Sequence, residues 1–265
     1  CPNFKIKESI KHNLFIKAAE YGHLNIMKYM LKNNFPYDSH VFTYAAKNGS
    51  LPYILKKNMM EWLLENNFPY DEDVFSCAAE CGDLNIMKWL LENNFPHNSD
   101  VFENTASNGS LSYILWKNMM EWLLENNFDY DEYVFSDAAL SGSLPNLQWL
   151  LENKFPYNEY VFSYAAWNGD LTNMKWLLEN NFPYNADAFN YAARHGSLIN
   201  LQWLLANNFP RGILVFYYIA SHKSLDYNIK KNIMEWLLIN NFPYHKNSVL
   251  INATDSVKEW VEKNL

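Results

Sequence analysis

DEDVFSCAAECGDLNIMKWLLENNFP, residues 71–96, decides how this chain folds. Val74, Phe75, Ala78 and Ala79 recur at helical spacing, so they share one face of a first helix. The two alanines let a neighbouring helix come close. Asp71 precedes the apolar pair and is the expected N-cap. Glu72 and Asp73 add negative charge where the helix amides point outward. Gly82 is expected to end this helix in the left-handed conformation. Leu84, Met87, Leu90 and Leu91 then form the face of a second helix. Asn93 and Asn94 suit a left-handed close, and Pro96 forces Phe95 into an extended conformation, so the helix stops there. The unit is helix, tight turn, helix, short extended link.

The same unit recurs along the whole chain. The Ala-Ala slot begins at Ala18, Ala45, Ala78, Thr105, Ala138, Ala165, Ala192 and Ile219, in steps of 27 or 33 residues. A second ladder runs through Tyr29, Trp62, Trp89, Trp122, Trp149, Trp176, Trp203, Trp236 and Trp260. Seven of the eight glycines fall at the turn between the helices. One helix pair cannot bury both of its sides alone, so neighbours must stack. The expected architecture is all-α, a solenoid of about nine helix-turn-helix repeats. It is read as one domain over 1–265, with an N-terminal cap at about 1–13, repeats over about 14–247 and a capping repeat over about 248–265.

Three long units carry six extra residues between turn and second helix, as in GSLPYILKKNMMEWLL (49–64). In the first two of them, Tyr-Ile-Leu reads as an extra apolar turn tucked beneath the preceding helix, and the insertions read as a lengthened helix or loop at the solenoid edge rather than a dedicated recognition element. The tryptophan ladder sits at one fixed slot beside Leu-Leu, which reads as packing rather than a stacking platform.

The chain carries a formal net charge of -8. That balance argues against a nucleic-acid backbone and against an anionic membrane surface, both of which call for clustered Lys and Arg. Three cysteines, Cys1, Cys77 and Cys81, are too few for a disulfide scaffold, so a reducing, cytoplasmic setting is expected. No apolar run reaches membrane-spanning length, and no signal core opens the chain. The absence of an initiating Met suggests a fragment or a processed chain. The glycines never cluster into a phosphate-binding loop. The seven histidines are scattered, and no pair has metal-ligand spacing. No catalytic, cofactor or metal site is expected. Cys77 and Cys81, four apart on one helix, read as coincidence rather than a metal or redox pair.

The pattern AAxxGxLxxMKWLLENNFP resembles the ankyrin repeat over essentially the whole chain. Two departures stand out. The link is shorter than the family's β-hairpin finger, which is therefore expected to be very short or absent. The family's Thr-Pro-Leu-His opening is replaced by Val-Phe. This shortened type is similar to ankyrin arrays of mimivirus-like giant DNA viruses, which implies a place in host cytoplasm or virion.

In such arrays the residues after Ala-Ala line a concave groove. Here they include Lys47-Asn48, Trp167-Asn168 and Arg194-His195. The pair before Ala-Ala is expected to face outward as well: Thr43-Tyr44, Ser163-Tyr164, Asn190-Tyr191 and Tyr217-Tyr218. Aromatics with an Arg have the composition of an interface hot spot. The candidate partner-binding residues are Tyr164, Trp167, Tyr191, Arg194, His195 and Tyr218, together with Tyr44 and Lys47. The expected function is a non-catalytic protein–protein interaction module, monomeric, binding a protein on its concave face as a viral adaptor does. The alternative is a structural component of a virion or other assembly.

Overall fold

The computed structural model describes residues 8–265, so Cys1 and most of the expected N-terminal cap lie outside the described residues. Among them there are eighteen helices and no strand. They form two compact units, Cys1–Asp131 and Glu132–Leu265. Unit one holds four helix pairs: α1 (Glu8–Glu20) and α2 (Leu24–Lys32), α3 (His40–Lys47) and α4 (Tyr53–Glu65), α5 (Asp73–Glu80) and α6 (Leu84–Glu92), α7 (Asp100–Ser107) and α8 (Tyr113–Glu125). Unit two holds five: α9 (Tyr133–Ser141) and α10 (Leu144–Glu152), α11 (Tyr160–Asn168) and α12 (Leu171–Glu179), α13 (Asp187–His195) and α14 (Leu198–Ala206), α15 (Val215–Ser221) and α16 (Tyr227–Ile239), α17 (Lys246–Asn252) and α18 (Asp255–Asn264). Residues 8–13, expected in the cap, belong to the first helix.

Within each unit the first helices pack side by side through their small residues. Ala45, Ala46, Ala78, Ala79, Ala165, Ala166, Ala192 and Ala193 are fully buried. Thr105 takes one such slot, and its hydroxyl is satisfied by the Val101 carbonyl at 2.9 Å.

The NNF block closes each second helix. Asn66 donates its side-chain amide to the Trp62 carbonyl, and Asn67 takes φ 55°. The Asn67 and Phe68 amides then bond the Leu64 and Leu63 carbonyls. This is a Schellman close with Asn in the left-handed slot. It repeats at every second helix through α16, but Lys154 stands in that slot after α10, at φ 59°.

The link is pinned by aromatics across repeats. Phe162 lies 5.6 Å from Tyr184 of its own link and 5.0 Å from Phe209 of the next, and Tyr184 stacks on Phe209 at 3.9 Å. Arg211 replaces the tyrosine one repeat on, and its guanidinium sits 5.5 Å from the Phe242 ring. Each tryptophan from Trp62 to Trp236 packs on the Phe of its own link, as Trp176 does on Phe182 at 5.7 Å. The ladder is a packing device.

Three expectations need correction. First, Asp71 does not cap α5, whose N-cap position is Glu72 with no side-chain bond. The equivalent Asp38, Asn158 and Asn185 do bond the amide two residues on, at 2.9–3.1 Å. Second, the six extra residues lengthen the second helix from 9 to 13 residues in α4, α8 and α16, in line with the lengthened helix expected, but the placement of their side chains differs. Their apolar side chains are not tucked in: Ile54, Leu55 and Ile114 are 57%, 51% and 71% exposed. The added turn instead buries one residue, Lys56, Trp116 or Lys230. Lys56 reaches the Ala46 carbonyl at 3.2 Å and the Asp83 carboxylate at 2.8 Å. Third, the left-handed close of Gly82 is not shared by Gly49 and Gly109: α3 and α7 end at Lys47 and Ser107, and the C-caps Asn48 and Asn108 have φ -70° and -73°.

Candidate functional site

Packing of the first helices determines what is left for recognition. On α11, Val161, Phe162, Ala165 and Ala166 face the core. Helical geometry therefore places Tyr164 and Trp167 together on the opposite side, and Tyr191 and Arg194 likewise on α13. The alanine spacing brings the two helices close enough for their rings to meet. Tyr164 and Tyr191 stack with centroids 5.9 Å apart and planes at 22°. Trp167 lies 5.4 Å from Tyr191 and 6.2 Å from Tyr164. The Arg194 guanidinium lies 4.0 Å above the Trp167 ring, a cation–π contact. Four of the expected residues thus form one continuous half-exposed surface.

The other expected residues fare differently. Tyr218 packs edge-on against Tyr217, 5.1 Å away on its own helix. His195 is tied down, its Nδ1 lying 3.1 Å from the Trp167 carbonyl one repeat back. That contact belongs to a series. Asn48 donates to the Glu20 carbonyl, Asn108 to the Glu80 carbonyl and Asn168 to the Leu140 carbonyl, at 2.5, 2.6 and 2.9 Å. The slot three residues after the first alanine is therefore a strut between repeats. The pair before Ala-Ala splits: Thr43, Ser163 and Asn190 are buried, and only the following tyrosine reaches the surface. Periodicity already placed the inner member one position from the core face, and the short helix spacing closes over it.

Tyr44 and Lys47 belong to unit one. With Glu20 and Tyr21 they line an open cavity of about 430 Å³. Lys47 is ion-paired to Glu80 at 2.9 Å, and the hydrogen bond from Glu80 raises its pKa above the ordinary lysine value. Tyr160, not anticipated as a site residue, lies four residues before Tyr164 on the same helix face and is 38% exposed. Its i, i+4 spacing to Tyr164 was the available signal.

Burial pushes the Cys77 thiol up to about 11 and raises Cys81 as well, which makes both poor nucleophiles and poor metal ligands. No group of three His, Cys, Asp or Glu among the described residues is placed to hold a metal. No helix among them is long and apolar enough to cross a membrane.

No family model matches the chain, and no curated protein matches it. Solved structures do. The pentatricopeptide repeat protein PPR10 in complex with an 18-nt psaJ RNA element superposes with a TM-score of 0.51 at 9% identity. The match covers 94% of this chain and 42% of that one, and a C256S/C430S/C449S form of PPR10 with the same RNA element matches equally well. The fold is an all-helical repeat array. At such identity the likeness is one of fold alone, and the chain spans about two fifths of the matched protein's length. Both of these structures are of a pentatricopeptide protein rather than an ankyrin protein, so only the coarser description, paired helices in tandem repeats, holds.

The exclusion of nucleic acid drawn from net charge is corrected. An array of this fold is solved with RNA on it. A whole-chain average is also the wrong quantity for a protein that binds through one face. Residues 1–131 carry eleven Lys and Arg against seventeen Asp and Glu, whereas residues 132–265 carry ten against twelve. Most of the acidity is remote in sequence from the aromatic surface.

Proposed function

We propose that this chain is a non-catalytic recognition module that binds a short protein segment on the face formed by α11 and α13. The observation that carries this reading is the Tyr164–Trp167–Tyr191–Arg194 surface. Rings and a guanidinium are held in mutual contact, with buried alanines behind them. Aromatic and Arg side chains supply large contact area at low ordering cost, which is why they dominate hot spots. The viral-adaptor role implied by the shortened ankyrin-like unit belongs to this reading and is supported by that resemblance only.

A second reading is single-stranded RNA. The near-parallel Tyr164 and Tyr191 rings, with Arg194 on Trp167, favour it as a base-stacking platform, as does the RNA-bound structure of like fold.

The experiment is a Tyr164→Ala, Trp167→Ala, Arg194→Ala triple variant, checked by circular dichroism to be folded. Its affinity for a partner peptide obtained by selection on the native chain is expected to fall by a hundredfold or more, about 3 kcal/mol. Unchanged affinity in a folded variant refutes the site.

A further inference from the structure

The slot two residues after the first alanine gives successive first helices a ladder of exposed or half-exposed side chains. In unit one it runs Glu20, Lys47, Glu80, Ser107. The cation there is neutralised one repeat on, with Lys47 Nζ 2.9 Å from Glu80 Oε2. In unit two the same ladder runs Leu140, Trp167, Arg194, Ser221. Arg194 therefore has a serine where Lys47 has its glutamate. It makes no ion pair among the described residues, and its guanidinium carbon lies 4.0 Å from the Trp167 ring centroid. Arg211 is likewise held over a ring with no carboxylate among the described residues, 5.5 Å from Phe242, but Arg194 is the one that lies beside Tyr164, Trp167 and Tyr191. A guanidinium held over a ring by cation–π attraction still has its fork of N–H donors to offer, and that fork matches two oxygens of one anion.

We infer that the segment bound on the α11–α13 face carries a single carboxylate, taken by Arg194, flanked by an aromatic or large aliphatic side chain that lies on Tyr164 and Tyr191. This rests on the recognition reading above and adds the chemistry of its ligand. The charge complementarity is local: one guanidinium beside three rings fits one acidic side chain next to one apolar side chain. A phosphate chain would present an anion at every nucleotide to that one guanidinium.

The test is selection of a phage-displayed random heptapeptide library on the full chain, run in parallel on R194E, with Y164A and W167A as binding controls. The native chain is expected to enrich peptides with Asp or Glu within a few residues of Phe, Tyr, Trp or Leu. Their affinity falls about tenfold or more on R194A, and R194E enriches Lys or Arg in place of the acid. If peptides lose binding on W167A but R194E leaves their charge preference unchanged, the carboxylate inference is overturned while the recognition face stands. If no peptide is enriched, or those enriched ignore Y164A and W167A, both are overturned. A fluorescein-labelled 18-nucleotide uridine RNA, matched in length to that seen on the related fold, is titrated alongside. Micromolar binding of that RNA lost on W167A, with no peptide enriched, overturns the peptide in favour of RNA.

Discussion

Lys154 shows at single-residue scale how the repeat tolerates a local misfit. It sits at φ 59° where seven other links use Asn, yet it makes the same two backbone bonds. A β-carbon in the left-handed region costs about 1–2 kcal/mol, and Asn bears that conformation better than Lys. Lys154→Asn is therefore expected to raise stability by about 0.5–1 kcal/mol, read as a higher urea midpoint for unit two. Gly169 is the converse. It has φ +87°, and an added Cβ would lie 2.3 Å from the His195 ring. Gly169→Ala should cost about 1–2 kcal/mol and release His195 from the Trp167 carbonyl. Cys77 gives a chemical test at the same scale. With its pKa near 11 instead of 9.0, its thiolate fraction at pH 8 falls about a hundredfold. Alkylation by iodoacetamide should be slower than for a free thiol by roughly that factor, rising as pH approaches 11; mass spectrometry of the Cys77 peptide reads it. The left-handed Asn slot was legible in NNFP, because Pro fixes what precedes it. The strut from His195 to Trp167 was not, since it joins residues 28 apart that only the stacked helices bring together.

Among the elements, the long second helices carry the sharper lesson. Sequence placed the insertions correctly but mis-assigned which of their residues is buried. Tyr-Ile-Leu is the more apolar triplet, yet the buried position is the next one, because the added turn continues the α4 helix at its existing phase. Lys56 ends up enclosed with the Asp83 carboxylate and the Ala46 carbonyl, and Trp116 fills the same position in α8. Lys56→Ala should cost about 3 kcal/mol, because it leaves Asp83 and a carbonyl unpaired around a void. A Lys56→Met variant should lose clearly less, and thermal denaturation of the two separates the volume term from the charge term. Lys230, the third of these residues, bonds the Thr254 hydroxyl at 2.7 Å, and its burial lowers its pKa below the ordinary lysine value. Its proton is thus held less tightly folded than unfolded, which opposes folding at neutral pH. The penalty is relieved as pH rises from the folded toward the unfolded value near 10.5, so Lys230→Met should flatten that alkaline gain.

For the molecule as a whole, periodicity carried the architecture, whereas net charge could not decide the class of partner. The 27 and 33 residue steps specify paired helices because each pair needs its neighbours, and that logic is independent of any family. Net charge is a sum over faces that never meet the same ligand, so it could not exclude RNA. The candidate residues were chosen by their slot relative to Ala-Ala, and of these the structure places Tyr164, Trp167, Tyr191 and Arg194 in mutual contact. The slot rule does not foresee the contacts made within the array, His195 to the Trp167 carbonyl and Tyr218 edge-on to Tyr217 of its own helix. Hydrogen–deuterium exchange of the full chain, with and without a saturating peptide selected on it, reads the central claim directly. Protection confined to α11 and α13, centred on Tyr164–Arg194, is the predicted result. Protection on the second helices and the tryptophan ladder, with α11 and α13 unchanged, would contradict it.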